Sequence, residues 1–371
     1  MSAPFEIFLA CPPGLEPVLA SETRDAGFDD VTEVPGGVTL SGGWPEVRRA
    51  NLVLRGAGRV LARIGAFRAF HLAQLDKRAR KFPWGDVLRP DVPVAVEVAT
   101  NRKSKIYHAG AAQQRIETAI AEELGAPIGS GGVSVRVRID DNLVVLSIDT
   151  SGEPLHKRGF KEAVGKAPMR ETMAAQFLMQ CEFSGDEPVL DPMCGSGTFV
   201  LEAACMAAGL LPGRARSFAF ERLATHDAGA WAREREAPPA TLPPLVFHGS
   251  DRNAGAFAAA QANAERAGVA PMVRFQKRAI SEIVPPDGAP GLVICNPPYG
   301  TRIGDRQKLY PLYKALGDAL RDRFTGWRVG IVATEANLIG ATGLPFAQPG
   351  PPIPHGGLKV RLWQTGPLPR G

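Results

Sequence analysis

Cysteine is scarce and unpatterned. The chain has 5 in 371 residues (Cys11, Cys181, Cys194, Cys205 and Cys295), with no C-x-x-C pair and no regular spacing. A disulfide framework or a zinc site is therefore not expected, and a reducing cytoplasm is the expected compartment. The 6 histidines (His71, His108, His156, His226, His248 and His355) show no ligand spacing, so no metal is expected. No apolar run reaches the about 18 residues of a membrane span, so no transmembrane helix is expected. The stretch 1–12 lacks a basic start followed by an apolar core, so no secretory signal is expected. There is no internal repeat.

What is present is the composition of a soluble globular protein, 44% hydrophobic and 22% charged. At this length one core is not enough, and two or three domains are expected. The net charge of +5 is unevenly placed: residues 48–115 hold 15 Lys and Arg against 4 Asp and Glu, which leaves −6 for the rest. Such a concentration of positive charge suggests a polyanionic partner for that region.

Residues 1–58 read as a small α/β unit. Phe5-Glu6-Ile7-Phe8-Leu9-Ala10 is a strand, 15–26 a helix, Gly37-Val38-Thr39-Leu40-Ser41-Gly42 a strand and 45–54 a helix. Residues 59–160 form the next unit. It has a strand at 92–99 and a helix at 109–124 with Ala112, Ile116, Ala119, Ile120 and Leu124 on one face. An alternating strand at 133–139 turns at Asp140-Asp141-Asn142 into a partner at 143–149. A charged connector at 152–166 leads to a third unit. Pro168 is expected in the first turn of the helix carrying Met173, Phe177 and Leu178. Strands near 188–191, 245–250, 272–276, 291–295 and 328–333 then alternate with helices, as in a doubly wound sheet. Residues 340–357, rich in Gly and Pro, are expected to be irregular.

Two motifs in this third unit carry the chemistry. Val189-Leu190-Asp191-Pro192-Met193-Cys194-Gly195-Ser196-Gly197-Thr198 is an apolar strand ending in a glycine turn. Gly195 and Gly197 allow close backbone approach to a ligand and a sharp turn into a helix starting near Thr198. The third glycine of the dinucleotide fingerprint is missing. Asp191 is placed to receive a cationic amino acid group, such as the methionine part of S-adenosylmethionine. Asp251 ends the next strand, where ribose hydroxyls are held. It lies 60 residues beyond Asp191, against about 20 in the usual pattern, which fits an insertion over 207–244.

Val293-Ile294-Cys295-Asn296-Pro297-Pro298-Tyr299 is the second motif. Two prolines make a rigid loop. The Asn296 side-chain oxygen and the Pro297 carbonyl can accept both hydrogens of an amino group, which aims the nitrogen lone pair at a methyl donor. Tyr299 offers a stacking face for a base. The rival reading, Cys295 or Cys194 as a covalent nucleophile, lacks an evident partner base.

These strings, together with Lys166-Ala167-Pro168-Met169-Arg170-Glu171-Thr172, Gly249-Ser250-Asp251 and Asp149-Thr150-Ser151-Gly152-Glu153-Pro154-Leu155-His156-Lys157-Arg158-Gly159, resemble the THUMP-containing RNA methyltransferases. The nearest resemblance is to the bacterial large-subunit rRNA guanine-N2 methyltransferase group, once labelled adenine-specific DNA methylases, and it covers nearly the whole chain. It implies a ferredoxin-like module at 1–58, a THUMP RNA-binding domain at 59–160 and a Rossmann-like class I methyltransferase at 161–371.

The implied cofactor is S-adenosylmethionine, held by Asp191, Met193, Gly195, Gly197, Thr198 and Asp251, with Arg170 and Glu171 near its methionine end. Asn296, Pro297, Pro298 and Tyr299 would hold the target guanine of 23S rRNA, with no membrane, no metal and a monomeric state. Two departures qualify the resemblance. Ala279 stands where an acid is expected at the cofactor adenine. Some rRNA enzymes of this group also carry a second methyltransferase domain, whereas this sequence ends at Gly371, so a tRNA substrate stays open. Adenine 6-amino methylation of DNA or RNA, and a non-catalytic RNA-binding factor, are the further alternatives.

Overall fold

The computed structural model describes residues 4–162, 169–236, 242–299 and 303–370. The chain divides into two compact units, each built from discontinuous segments. The first comprises Met1–Cys11, Leu19–Leu155 and Arg216–Ala237; the second comprises Pro12–Val18, His156–Ala215 and Pro238–Gly371.

The first unit contains β1 (Phe5–Ala10), most of α1 (Glu16–Asp25), β2 (Thr32–Val34), β3 (Gly37–Gly42), α2 (Trp44–Val53), β4 (Arg59–Arg68), α3 (Leu72–Arg80), β5 (Val94–Thr100), α4 (Ala109–Leu124), β6 (Val133–Asp140) and β7 (Leu143–Asp149). Its strands form one sheet in the order β2-β3-β1-β4-β7-β6-β5. Residues 1–58 and 59–160 thus share a sheet, joined where β1 pairs antiparallel with β4.

The β6–β7 hairpin turns through Asp141 (φ 46°) and Asn142 (φ 61°), the left-handed pair that a two-residue hairpin needs. On β6, Val133, Val135, Val137 and Ile139 are buried, and Arg136 and Arg138 take the other face. Those arginines are partly neutralised: Arg136 pairs with Asp149 (3.0 Å) and Glu97 (2.9 Å), and Arg138 with Asp140 (3.0 Å). Among the described residues, Lys77, Lys81, Arg102, Lys103 and Arg115 carry no ion pair.

The second unit starts its regular structure with α5 (Glu171–Gln180), β8 (Val189–Asp191) and α6 (Thr198–Ala207). Pro168 lies outside the described residues. The chain then makes the excursion Arg216–Ala237, which carries α7 (Ala228–Arg235) and belongs to the first unit. It returns with β9 (Phe247–Asp251), α8 (Ala254–Ala267), β10 (Val273–Lys277), β11 (Leu292–Cys295), α9 (Ile303–Arg323), β12 (Arg328–Ala333), α10 (Ala336–Gly340), β13 (Ile353–His355) and β14 (Leu358–Gln364).

The second sheet has the order β10-β9-β8-β11-β12-β14-β13. Neighbours from β10 to β12 pair parallel; β14 is antiparallel to both β12 and β13. Residues 340–357, expected to be irregular, include α10 as far as Gly340 and the strand β13. The central strands β8 and β11 are buried along their whole length, as parallel strands covered on both faces must be.

The excursion is bolted to the first unit by polar and aromatic contacts. The Arg216 guanidinium donates to the carbonyls of Ser151 (3.1 Å), Glu153 (2.5 Å) and Pro154 (2.8 Å). The Phe220 N–H donates to the Thr150 carbonyl at 3.0 Å. Phe218 and Phe220 stack at 5.3 Å, and both meet the buried Trp231 ring edge-on, at 5.7 and 4.9 Å. Arg48, largely buried, pairs with Glu234 at 2.7 Å.

Candidate active site

The second sheet reverses its winding between β8 and β11. From β8 the chain proceeds outward through β9 to β10, then returns to β11 on the other side. A crevice opens beyond the carboxyl ends of the strands at such a switch point. The loop after β8 and the loop after β11 both start there.

The first loop is fastened to β9. Cys194 N–H donates to the Ser250 carbonyl at 3.0 Å, and Gly195 N–H to Asp251 Oδ2 at 3.1 Å. Asp251 Oδ1 accepts from Asn253 N–H at 2.8 Å. Asp251 therefore organises the loop as well as ending its strand. Gly195 (φ 53°) and Gly197 (φ 84°) adopt the left-handed conformation, which is cheap only for glycine. A Cβ on Gly197 would lie 3.1 Å from Phe275 and 3.2 Å from Ala260. Thr198 opens α6 directly after this turn.

Asp191 is 3% exposed. Its Oδ1 accepts the Met193 N–H at 3.0 Å, and no cation pairs with it among the described residues. Burial, aided by Asp251 and opposed by the Met193 N–H, pushes its carboxyl up to about 8. A buried acid in this state suits a ligand that brings its own positive charge. The glycine turn and the uncompensated carboxyl fit the amino acid end of S-adenosylmethionine.

The second loop carries an orphan. Asn296 Oδ1 is buried and has no hydrogen-bond partner among the described residues; such an atom costs about 1–3 kcal/mol until something donates to it. Burial raises the Tyr299 hydroxyl above the usual phenol range, opposed by the Asn296 side chain. Pro297 is buried, Pro298 exposed and Tyr299 half-buried. Beneath the loop, the fully buried Tyr313 of α9 donates from its hydroxyl to the Pro298 carbonyl at 3.4 Å. The sequence reading missed Tyr313, whose place on a helix with other apolar residues gives no sign of it.

Not every expected ligand faces a free space. Thr198 and Glu171 converge on Lys161, a second residue that sequence reasoning passed over. Lys161 Nζ lies 2.8 Å from Thr198 Oγ1 and 3.1 Å from Glu171 Oε1. Arg170 is exposed, and its charge, after burial, helps hold His156 and His355 below the usual histidine range. Met193 packs against the core formed by α9, β11 and β12. Ala279 precedes a short helical turn, Ile280–Glu282; its N–H donates to Glu282 Oε2 at 3.4 Å.

Cys194 and Cys295 are buried thiols. Burial pushes both well up, and the Asp191 carboxyl pushes them further. A thiol held protonated is a poor nucleophile.

This sheet order, with a glycine turn after its first strand and Asn-Pro-Pro-Tyr after its fourth, defines a class I S-adenosylmethionine-dependent methyltransferase. The family described as the RMKL-like methyltransferase domain matches residues 158–344, half of the chain, and the RlmL ferredoxin-like domain matches residues 6–61. The chain belongs to the RMKL-like methyltransferase family.

Among curated relatives, the Ribosomal RNA large subunit methyltransferase K/L of Chromohalobacter salexigens is 33% identical over 92% of this chain and 50% of that protein. The chain thus spans about half the length of that relative. Among solved structures, a predicted N6-adenine-specific DNA methylase from Listeria monocytogenes is 30% identical over 98% of this chain and 97% of its own, with a TM-score of 0.88. SMU.472, "a putative methyltransferase complexed with SAH", is 26% identical over 99% of both chains, with a TM-score of 0.85.

Proposed function

We propose that this chain methylates the exocyclic 2-amino group of a guanosine in RNA, with 23S rRNA as the expected substrate. The observation that carries this reading is Asn296 Oδ1, buried in a proline-stiffened loop at the switch point and without a hydrogen-bond partner among the described residues. An amino group on a flat base is a donor that satisfies it. Asn296 Oδ1 and the Pro297 carbonyl accept the two amino hydrogens, so the nitrogen lone pair is left to point across the crevice. Tyr299 stacks on the base. Asp191 faces the cofactor ammonium, Asp251 the ribose and the Gly195–Gly197 turn the chain between.

Bound S-adenosylmethionine would supply a sulfonium methyl group: the new N–C bond would form as the S–C bond breaks, its electron pair leaving with sulfur as S-adenosylhomocysteine, without a covalent enzyme intermediate. Asn296 and Pro297 stabilise the positive charge that gathers on nitrogen as the bond forms. The amine proton is then lost to solvent.

RNA is favoured by the relative named as a ribosomal RNA methyltransferase and by the basic region 48–115. There, Lys77, Lys81, Arg102, Lys103 and Arg115 remain for phosphates. The 59–160 segment is assigned as the THUMP domain, and the enzyme is assigned to the cytoplasm as a monomer.

The test is transfer from labelled S-adenosylmethionine to deproteinised rRNA and to bulk tRNA from cells lacking the protein, followed by nucleoside analysis. N2-methylguanosine in rRNA is expected. The same nucleoside in tRNA moves the substrate, label in adenosine replaces the base, and no label in either RNA defeats the reading.

A further inference from the structure

The charged connector before α5 contributes more than a link. Lys161 has three ammonium hydrogens and three acceptors: Thr198 Oγ1 at 2.8 Å, Glu171 Oε1 at 3.1 Å and the Met169 carbonyl at 3.2 Å. Its side chain is 5% exposed, so no donor is left for water. The three acceptors belong to the start of α5 and the start of α6.

α6 needs such a tether. Its N-cap is Gly197, which has no side chain to cap the helix and sits at φ 84°. The backbone of the turn is held by the Leu201 N–H on the Gly197 carbonyl (2.8 Å) and by Asn263 Nδ2 on the Ser196 carbonyl (3.2 Å). The bond from Lys161 adds what these leave out, the orientation of the Thr198 side chain, and it uses an acceptor lone pair of the hydroxyl, leaving the Thr198 hydrogen to donate.

A buried Lys–Glu pair adds little to stability, because desolvation roughly offsets attraction. What it does supply is a fixed geometry. The connector that holds Lys161 is itself anchored: Arg158 and Glu202 of α6 form an ion pair at 3.1 Å with both side chains almost fully buried, and Arg266 of α8 donates to the Phe160 carbonyl at 2.8 Å.

We propose that Lys161 is a positioning residue for cofactor capture. It acts through Thr198 and Glu171 to hold the glycine turn in its receiving shape, without touching the reacting atoms. The inference rests on the assignment of the 191–198 loop to the cofactor.

The test uses the full chain and calorimetric titration with S-adenosylhomocysteine, alongside RNA affinity and thermal melting. Lys161→Met alone would leave Glu171 buried and unpaired, so the informative comparison is Lys161→Met/Glu171→Gln against Glu171→Gln. The double variant is expected to bind at least about tenfold more weakly, an effect of about 1.4 kcal/mol, with unchanged RNA affinity and a similar melting temperature. Equal affinity in the two variants would overturn the proposal. So would a loss shared by cofactor and RNA with a lowered melting temperature, since that marks a structural role. Asp191→Ala is the control. If it too binds normally, the loop assignment has failed; if it binds weakly while the Lys161 pair does not differ, only the Lys161 inference falls.

Discussion

At the level of single atoms, the proposed reaction turns on Asn296 Oδ1, a buried acceptor without a partner among the described residues. Under the proposed reaction, replacing Asn296 with Ala removes an acceptor that meets the charge developing on the target nitrogen. Turnover is expected to fall about 10²–10³-fold, the usual cost of one such group, while calorimetry finds cofactor affinity unchanged. Normal turnover would remove the loop from the reaction.

Asp191 makes a pH-dependent partner for a cation. Its carboxyl titrates near 8 in the folded chain, far above its ordinary value of 3.8. Below that point it is protonated and offers a cationic ligand no charge. Cofactor affinity is therefore expected to rise with pH toward about 8 and to fall again as the ligand's own ammonium loses its proton, and binding at neutral pH releases a proton. Titrations in two buffers of different ionisation enthalpy would reveal the release; identical heats would contradict it. The sign for stability is the reverse. A raised acid stabilises the ligand-free fold most below its unfolded value, and that contribution is lost as pH rises from about 4 to about 8. Asp191 was legible in the sequence as the acid at a strand end. The charge state that burial gives it was not, because that depends on which groups surround it.

Helices and strands with clean periodicity could be read directly. The strands at Phe5–Ala10 and Gly37–Gly42 and the helix at Ala109–Leu124 have the expected limits. β4 escaped notice because a bulge between Arg63 and Gly65 shifts its register, so inward and outward residues do not alternate along its length. β13 hides in a Gly- and Pro-rich run. It includes Pro354, which an edge strand tolerates.

The loop after β8 also depends on a residue of β9. A Cβ on Gly249 would lie 2.6 Å from Phe275 and 3.1 Å from Cys194 Sγ. Gly249→Ala is expected to cost about 1–3 kcal/mol by overpacking, lowering the melting temperature and weakening cofactor binding together. A variant as stable as the parent would show that β9 and β10 can move apart.

At the scale of the whole chain, an insertion is legible in the sequence but its destination is not. Polar spacing between Asp191 and Asp251 implied extra residues; nothing in that stretch announces that Arg216–Ala237 completes the first unit. The partners that hold it, such as Arg48 and Glu234, are far apart in sequence. Trp231→Ala removes the ring at the centre of the aromatic cluster and is expected to destabilise the first unit by about 3–5 kcal/mol. Calorimetry should show an earlier melting transition while cofactor affinity holds. Lost cofactor affinity without a change in melting would contradict it. The basic excess of 48–115 was visible at the outset, but the structure divides it: Arg80 and Arg89 are occupied by acids, whereas Lys77 and Lys81 carry no ion pair among the described residues.

The excursion also orders events during synthesis. A growing chain leaves the ribosome from its N-terminus at about 5–20 residues per second. When Leu155 emerges, every strand of the first sheet exists, yet Arg48 still lacks Glu234 and the Thr150 carbonyl still lacks Phe220. The first unit closes only after β8 and α6 of the second have been made and Ala237 has followed them. A gene fragment cut at the 155/156 junction would encode all the strands and none of the strap.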